Sequence, residues 1–460
     1  MQPFSLIRAE DRALMPRTAE DAYPVGALQA DLFLRSADAA GDLFMLHMNT
    51  AYDHGALHTA VEHAVARHDI LRTSFHFAGY SRPLQLVHRS AGVRTAVTDL
   101  RPYSRAEQQD YLDVWREQEL GTPYDWTDPP LMRISVHVLG DHEFLFCPAF
   151  HEALLDSWSE SSLITEILAD YWAGQGGSPR SRPAPRPARR FAECIAREEA
   201  ALSDPAVTEF WSTELAGTEP MFLPVADRGL SDGCQTCDTD TATAGFLGAD
   251  LDPAVCAELA ALARHHRTGL RQVLLAVHAR VLASLIGREE VVLAVESDGR
   301  SEDGGEGTDV IGVRLDVLFY RLRTADADWS GLIRAVLDKE HELRTVGHCP
   351  YPEVQRLAGP REPTDIAFAW SQFRSFEELL AATDVESLDA KAHLRTGVTL
   401  RVSFTEDCFT GLLSLDLEAD LRKVGEEQLC AIGEMYRNAV AALVADARGV
   451  AARGDVLGER

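Results

Sequence analysis

Apolar positions recur along the chain at two spacings. In residues 58–68, Val61 and Val65 with Ala60 and Ala64 share one side of a 3.6-residue period, which predicts a helix. Residues 159–172 repeat that spacing, with Leu163, Ile164, Ile167 and Leu168 as the buried stripe. Residues 269–286 form a longer amphipathic stretch that ends in a turn at Gly287. The alternating run 133–139 and the apolar run 143–150 read as strands, and residues 69–75 lean the same way. Further strands are predicted at 291–295, 312–322, 399–404 and 411–417. Helix and strand recur in both halves, which fits two α/β sandwiches better than one barrel. No short repeat of the solenoid kind is present.

Residues 173–190 break this pattern. Gly176, Gly177, Pro179, Pro183, Pro185 and Pro187 disfavour both helix and central strand. The expectation is a first lobe at 1–175, a linker at 176–190 and a second lobe at 191–460. Arg180, Arg182, Arg186, Arg189 and Arg190 make the linker basic. A solvated linker is the ordinary reading of such a run, and a docking patch for an acidic partner is the alternative.

With 460 residues, 46% hydrophobic and 25% charged, the chain has material for sizeable cores. Its formal charge of −28 argues against a general surface for nucleic acid or anionic membrane. No run approaches the ~18 uninterrupted apolar residues of a membrane span. The start, Met1-Gln-Pro-Phe-Ser, has no basic segment ahead of an apolar one, so a cytoplasmic location is expected. Eight cysteines then suggest reduced thiols. Cys234 and Cys237 have metal-ligand spacing, but no second pair at finger spacing is near, and a loop with two thiols is the plainer reading. No metal is expected.

The stretch Phe150-His-Glu-Ala-Leu-Leu-Asp-Ser-Trp-Ser159 carries the candidate chemistry. A buried strand delivers polar residues to a tight loop, and a helix follows. His151, Glu152 and Asp156 could supply a base and an orienting carboxylate. Ser157 or Ser159 could equally cap the helix, and Asp156 could hold the loop through backbone N–H groups. On spacing alone, structure outweighs chemistry there.

Sharper motifs are excluded. A zincin would need a second His where Leu155 stands. His265-His266 has no acid at the matching distance and is expected to face solvent near a helix start. There is no GxSxG elbow, phosphate loop or dinucleotide fingerprint. Cys147, inside a strand, is expected to pack rather than react.

Together these segments resemble the condensation domains of nonribosomal peptide synthetases, in the chloramphenicol acetyltransferase-like superfamily. Tyr23-Pro-Val-Gly-Ala-Leu-Gln29 is similar to the family's opening Tyr-Pro-Leu-x-x-x-Gln. Arg67-His-Asp-Ile-Leu-Arg-Thr-Ser-Phe75 is close to Arg-His-x-x-Leu-Arg-Thr-x-Phe. Glu209-Phe-Trp-Ser-Thr-Glu-Leu215 resembles the Trp-containing helix of the second lobe. Asp298-Gly-Arg300 resembles the Ser-Gly-Arg turn, and Ile311-Gly-Val-Arg-Leu-Asp316 the Ile-Gly-x-Phe-x-Asn strand. Against the signature His-His-x-x-x-Asp-Gly, His151 and Asp156 match. Glu152 replaces the second His, which the family uses in catalysis, and Ser157 replaces the Gly.

The resemblance implies two chloramphenicol acetyltransferase-like lobes in a V-shaped pseudo-dimer with a central channel. His151, Glu152 and Asp156 would line its centre, Glu152 as candidate base and Asp156 as loop anchor, with Ser157, Ser159 and Asp316 also along the channel. Asp316 replaces the family's Asn, and two carboxylates there would favour a cationic substrate. The implied function is acyl transfer from a carrier-protein thioester to an amine or hydroxyl in secondary-metabolite or antibiotic biosynthesis. With no Gly-Gly-x-Ser carrier motif before Arg460, the protein is expected to be free-standing, with a phosphopantetheinyl carrier protein acting in trans. No bound cofactor is implied, and a monomer is expected. Two alternatives remain open: a catalytically silent partner that docks a carrier protein or tailoring enzyme, and ring-forming heterocyclisation through Asp156 and Ser159.

Overall fold

The computed structural model describes the chain except residues 36–40, 94, 175–189, 224–243, 298–299, 301–309, 326, 347–348, 360–362, 373–384, 392–397, 408–409 and 458–460. The described residues of Met1–Ser203, Asp298–Leu315 and Arg374–Leu394 form one compact unit, and those of Asp204–Ser297, Asp316–Phe373 and Arg395–Arg460 form another. Most of the basic linker, and Cys234 with Cys237, lie outside the described residues. Arg190 is described, and its guanidinium pairs with Asp21 (3.1 Å) and Asp69 (3.7 Å). The first unit runs past the expected linker to Ser203. Helix Ala192–Leu202 belongs to it because Ala192 and Ile195 sit in its core and Glu198 accepts the N–H of Ala27.

Strands are β1 (Ala19–Pro24), β2 (Asp42–Met48), β3 (Thr73–His76), β4 (Leu84–His88), β5 (Thr95–Asp99), β6 (Met132–Gly140) and β7 (Glu143–Phe150). Those of the second half are β8 (Ala244–Asp250), β9 (Glu290–Ser297), β10 (Asp316–Arg323), β11 (Ile366–Gln372), β12 (Val385–Lys391), β13 (Leu400–Glu406) and β14 (Leu413–Asp420). The first unit holds a five-stranded sheet, ordered β12-β2-β7-β6-β5, and a three-stranded sheet, β1-β4-β3. In the larger sheet Asp42 of β2 stands opposite Phe150, the last residue of β7. Helix Ser157–Gly174 buries Leu163, Ile164, Ile167 and Leu168 completely. Each such side chain contributes about 1.5–3 kcal/mol of burial.

The segment read as close to Arg-His-x-x-Leu-Arg-Thr-x-Phe closes helix His54–Arg67 and leads through a 3-10 turn, Asp69–Arg72, into β3. Arg67 and His68 both engage Glu166 of the motif-bearing helix, while Arg72 binds Glu20 and the carbonyls of Val65 and His88. These charged contacts tie the three-stranded sheet to the helices.

The second unit is a six-stranded sheet, β10-β9-β11-β13-β14-β8, with parallel pairing of β11 to β9 and β13. Its core takes in Trp211 of helix Pro205–Glu214 and most of helix Leu270–Ile286. The predicted strand at 312–322 begins only at Asp316, because residues 310–315 serve the first unit's loop, described below. His265 and His266 close helix Pro253–His266 instead of opening one. The cation at that end, which suits the helix dipole, is Arg264. Among the described residues no single helix is long and apolar enough to cross a membrane.

Candidate active site

The motif loop leaves β7 at Phe150 and enters its helix at Ser157. Gly41 makes this geometry feasible. A Cβ there would fall 1.4 Å from the Phe150 carbonyl oxygen, so only glycine lets β2 approach the loop so closely. Gln29, from the Tyr-Pro segment, donates to the Ala153 carbonyl at 3.1 Å and is itself held by Gln85 at 2.9 Å. The opening motif therefore clamps the loop.

Asp156 caps the helix. One carboxylate oxygen accepts the N–H of Ser159 (2.9 Å); the other accepts the N–H of Arg314 (2.8 Å) and the guanidinium of Arg300 (2.7 Å). Burial alone would raise its pKa, but Arg300 and the two backbone donors together hold it below the ordinary aspartate range. Arg300 is 1% exposed, lies over Trp158 at 4.3 Å, and donates to Ser159 Oγ at 2.8 Å. Ser159 Oγ also donates to the Gly312 carbonyl (2.9 Å) and accepts the Gly312 N–H (3.0 Å). Gly312 has φ +147° and a Cβ there would meet the Phe191 ring at 2.4 Å, so the Ile-Gly segment needs its glycine. Of the family-like Ser-Gly-Arg turn, only Arg300 is described, and its part in anchoring Asp156 has no local sequence signal.

His151 is enclosed. Its Nδ1 accepts the N–H of Ala153 (3.0 Å), so the neutral ring carries its proton on Nε2, which meets no partner among the described residues. Phe33 stacks on it at 4.8 Å, and Tyr124 and Trp126 approach edge-on. Burial, then the charge of Arg133, push its pKa down to about 4. Glu152 is half-buried, and Ser157 is exposed. Asp316 belongs to the second unit, where one oxygen accepts the N–H groups of Val317 and of Tyr351, the first residue of helix Tyr351–Ala358 (both 2.8 Å). Within the first unit the structure thus gathers His151, Glu152, Asp156, Ser157 and Ser159 on one loop and helix start.

Cys147 packs, as its place in a strand predicts: it is 1% exposed, and burial pushes its thiol well up. Among the described residues no three His, Cys, Asp or Glu side chains gather as a metal site.

The sequence model described as Condensation domain matches residues 20–398. The chain belongs to the condensation-domain family. Its relatives include the AMB antimetabolite synthetase AmbE of Pseudomonas aeruginosa, 30% identical over 456 residues, covering 97% of this chain and 21% of AmbE. A linear gramicidin synthase of Brevibacillus parabrevis is 27% identical over 383 residues, covering 81% of this chain and 7% of that protein. This condensation-family chain therefore spans about a fifth or less of the length of these relatives. Solved structures share the fold. The condensation domain from Monacolin K polyketide synthase MokA superposes with TM-score 0.74 at 20% identity, covering 93% of this chain and 98% of that one. The starter condensation domain of rhizomide synthetase RzmA gives 0.73 at 16% identity, covering 93% and 97%.

Proposed function

We propose that this chain transfers an acyl group from a carrier-protein phosphopantetheinyl thioester to an amine or hydroxyl, with Glu152 as general base. Condensation domains as a family form amide bonds from such thioesters. The observation that carries the assignment is a contrast within the loop. His151 and Asp156 are buried, whereas Glu152 is the ionisable motif side chain that keeps partial exposure.

In this reading the acceptor nitrogen attacks the thioester carbonyl, Glu152 takes the nitrogen's proton, the C–S bond breaks, and the departing sulfur is reprotonated. General-base assistance contributes ~10²–10⁴-fold. An ionised carboxylate cannot donate to the developing oxyanion and would repel it, so oxyanion stabilisation falls to other donors. Asp156 and His151 act by holding the loop.

The change from His to Glu at position 152 also supports a second reading, a silent partner that docks a carrier protein or tailoring enzyme. Heterocyclisation has less support, because Asp156 and Ser159 are occupied by Arg300, Gly312 and backbone donors. The test supplies acyl-loaded carrier proteins and a panel of amines to wild type, Glu152→Ala and Glu152→His. Transfer that is lost in Glu152→Ala supports the enzyme reading. Tight carrier binding with no product from any donor supports docking instead. A faster reaction with basic amines than with uncharged ones would add a role for acidic groups in acceptor choice.

A further inference from the structure

One helical turn after Asp156, Glu160 points its carboxyl into the same interior. It is 1% exposed, and neither of its oxygens meets an N–H or O–H donor among the described residues. What it does meet is the Asp42 carboxyl, at hydrogen-bonding range. Asp42 is 8% exposed, and its backbone stands opposite Phe150, where the motif loop begins. Two buried carboxyl groups in contact cannot both be ionised, and an oxygen–oxygen contact of this kind is cohesive only when a proton lies between them.

The surrounding charges sharpen the point. From the loop, Asp156 and Glu152 both bear on Glu160 with negative charge. Arg300, whose guanidinium reaches the loop, binds Asp156 and Ser159. The charges of Asp42 and Glu160 also bear on the buried phenol of Tyr124, over whose ring lies Arg133, itself paired with Glu119. The neighbouring imidazole, His151, is neutral at pH 7, with its pKa down to about 4. Burial first, then Asp42, Asp156 and Glu152, push Glu160 well up.

We propose that Asp42 and Glu160 hold one proton between them and, as positioning residues, limit the negative charge beside Glu152 so that it stays ionised as a base. The second half of this statement rests on the reading of Glu152 given above; the first does not. The pair carries one negative charge when the proton is shared. A second would raise the proton affinity of Glu152 and silence it as an acceptor of protons from the nucleophile.

Two readouts, neither of which needs turnover, test this. Infrared spectra of wild type at pH 7 are expected to contain a protonated-carboxyl carbonyl band, sensitive to deuterium exchange, that is absent in Glu160→Gln and shifted in Asp42→Asn. Identical spectra for wild type and Glu160→Gln would overturn proton sharing. Carbon-13 carboxyl NMR then follows the titration of Glu152, its signal assigned by loss in Glu152→Gln. Glu160→Gln keeps the pair at one negative charge and is expected to leave the Glu152 midpoint near its wild-type pH. The double variant Asp42→Asn/Glu160→Gln removes that charge and should lower the proton affinity of Glu152 about threefold or more. An unmoved midpoint in the double variant would overturn the coupling. If that variant does not fold, the same comparison is made in Asp42→Asn, where a midpoint equal to wild type overturns it. Failure of acyl transfer in wild type would remove the base reading while leaving both measurements decisive for the pair.

Discussion

Asp156 and Glu160 are four residues apart, both nearly sealed from solvent, and their carboxyls meet opposite surroundings. Asp156 gathers a guanidinium and two backbone N–H groups, and these outweigh burial and keep it ionised. Glu160 gathers no donor among the described residues and lies among other acids, so burial and those acids push its pKa well up. Burial is common to both, so the sign of the outcome is set by what the second coordination partner brings. One carboxyl is an anchor, and the other is a store for a proton, within a single turn of helix.

Breaking the anchored side has the largest expected effect. Arg300→Ala leaves Asp156 charged and unpaired in the interior and should destabilise the fold by ~3–5 kcal/mol, measured by urea unfolding. A loss below 1 kcal/mol would mean that the two backbone donors suffice. Gly41→Ala attacks the approach of β2 that brings Asp42 to the loop. With a backbone oxygen at 1.4 Å from the new Cβ, relief requires strand movement, and a loss of about 3 kcal/mol or more in the same assay is expected. Ser159→Ala removes the hydroxyl that joins Arg300 to Gly312 and should cost about 1–3 kcal/mol.

The proton-storing side has the smaller and pH-dependent effect. The folded-state pKa of Glu160 lies above its unfolded value, so the folded chain binds more protons than the unfolded one once pH exceeds the ordinary glutamate value of about 4.3. Stability contributed by protonated Glu160 therefore falls as pH rises above that point, by up to ~1.4 kcal/mol per unit. Glu160→Gln should flatten this decline, so the difference in stability between variant and wild type grows from pH 5 upward. His151 works in the other direction. With a folded pKa of about 4 against an unfolded value of about 6.5, its contribution is full above pH 6.5 and is lost as pH falls towards 4. Stability curves of wild type and Glu160→Gln that run parallel above pH 5 would contradict the assignment for Glu160.

The two carboxyls also differ in how visible they were in the sequence. Asp156, following a strand and three residues ahead of Ser159, read as a loop anchor, and its helix was legible from Leu163, Ile164, Ile167 and Leu168. Its main cation was not legible, because Arg300 lies 144 residues away. Glu160 gave no signal at all. A Glu at the start of a helix ordinarily faces water, and only the pairing of Asp42 with Phe150 places a second acid against it. Strand edges failed for a related reason. Residues 310–315 look like strand by composition, but their backbone is engaged by Ser159, Arg300 and Asp156, so β10 starts late. Periodicity reports burial of apolar faces; it is silent on polar backbone borrowed by a distant loop.

The most direct test of the account is the single-turnover rate of amide formation by Glu152→Gln, with a loaded carrier protein and an amine that wild type accepts. The substitution keeps shape and removes the base. The account predicts an unchanged melting temperature and a rate lower by ~10²–10⁴-fold. Wild-type speed in that variant would contradict it and remove Glu152 from the chemistry.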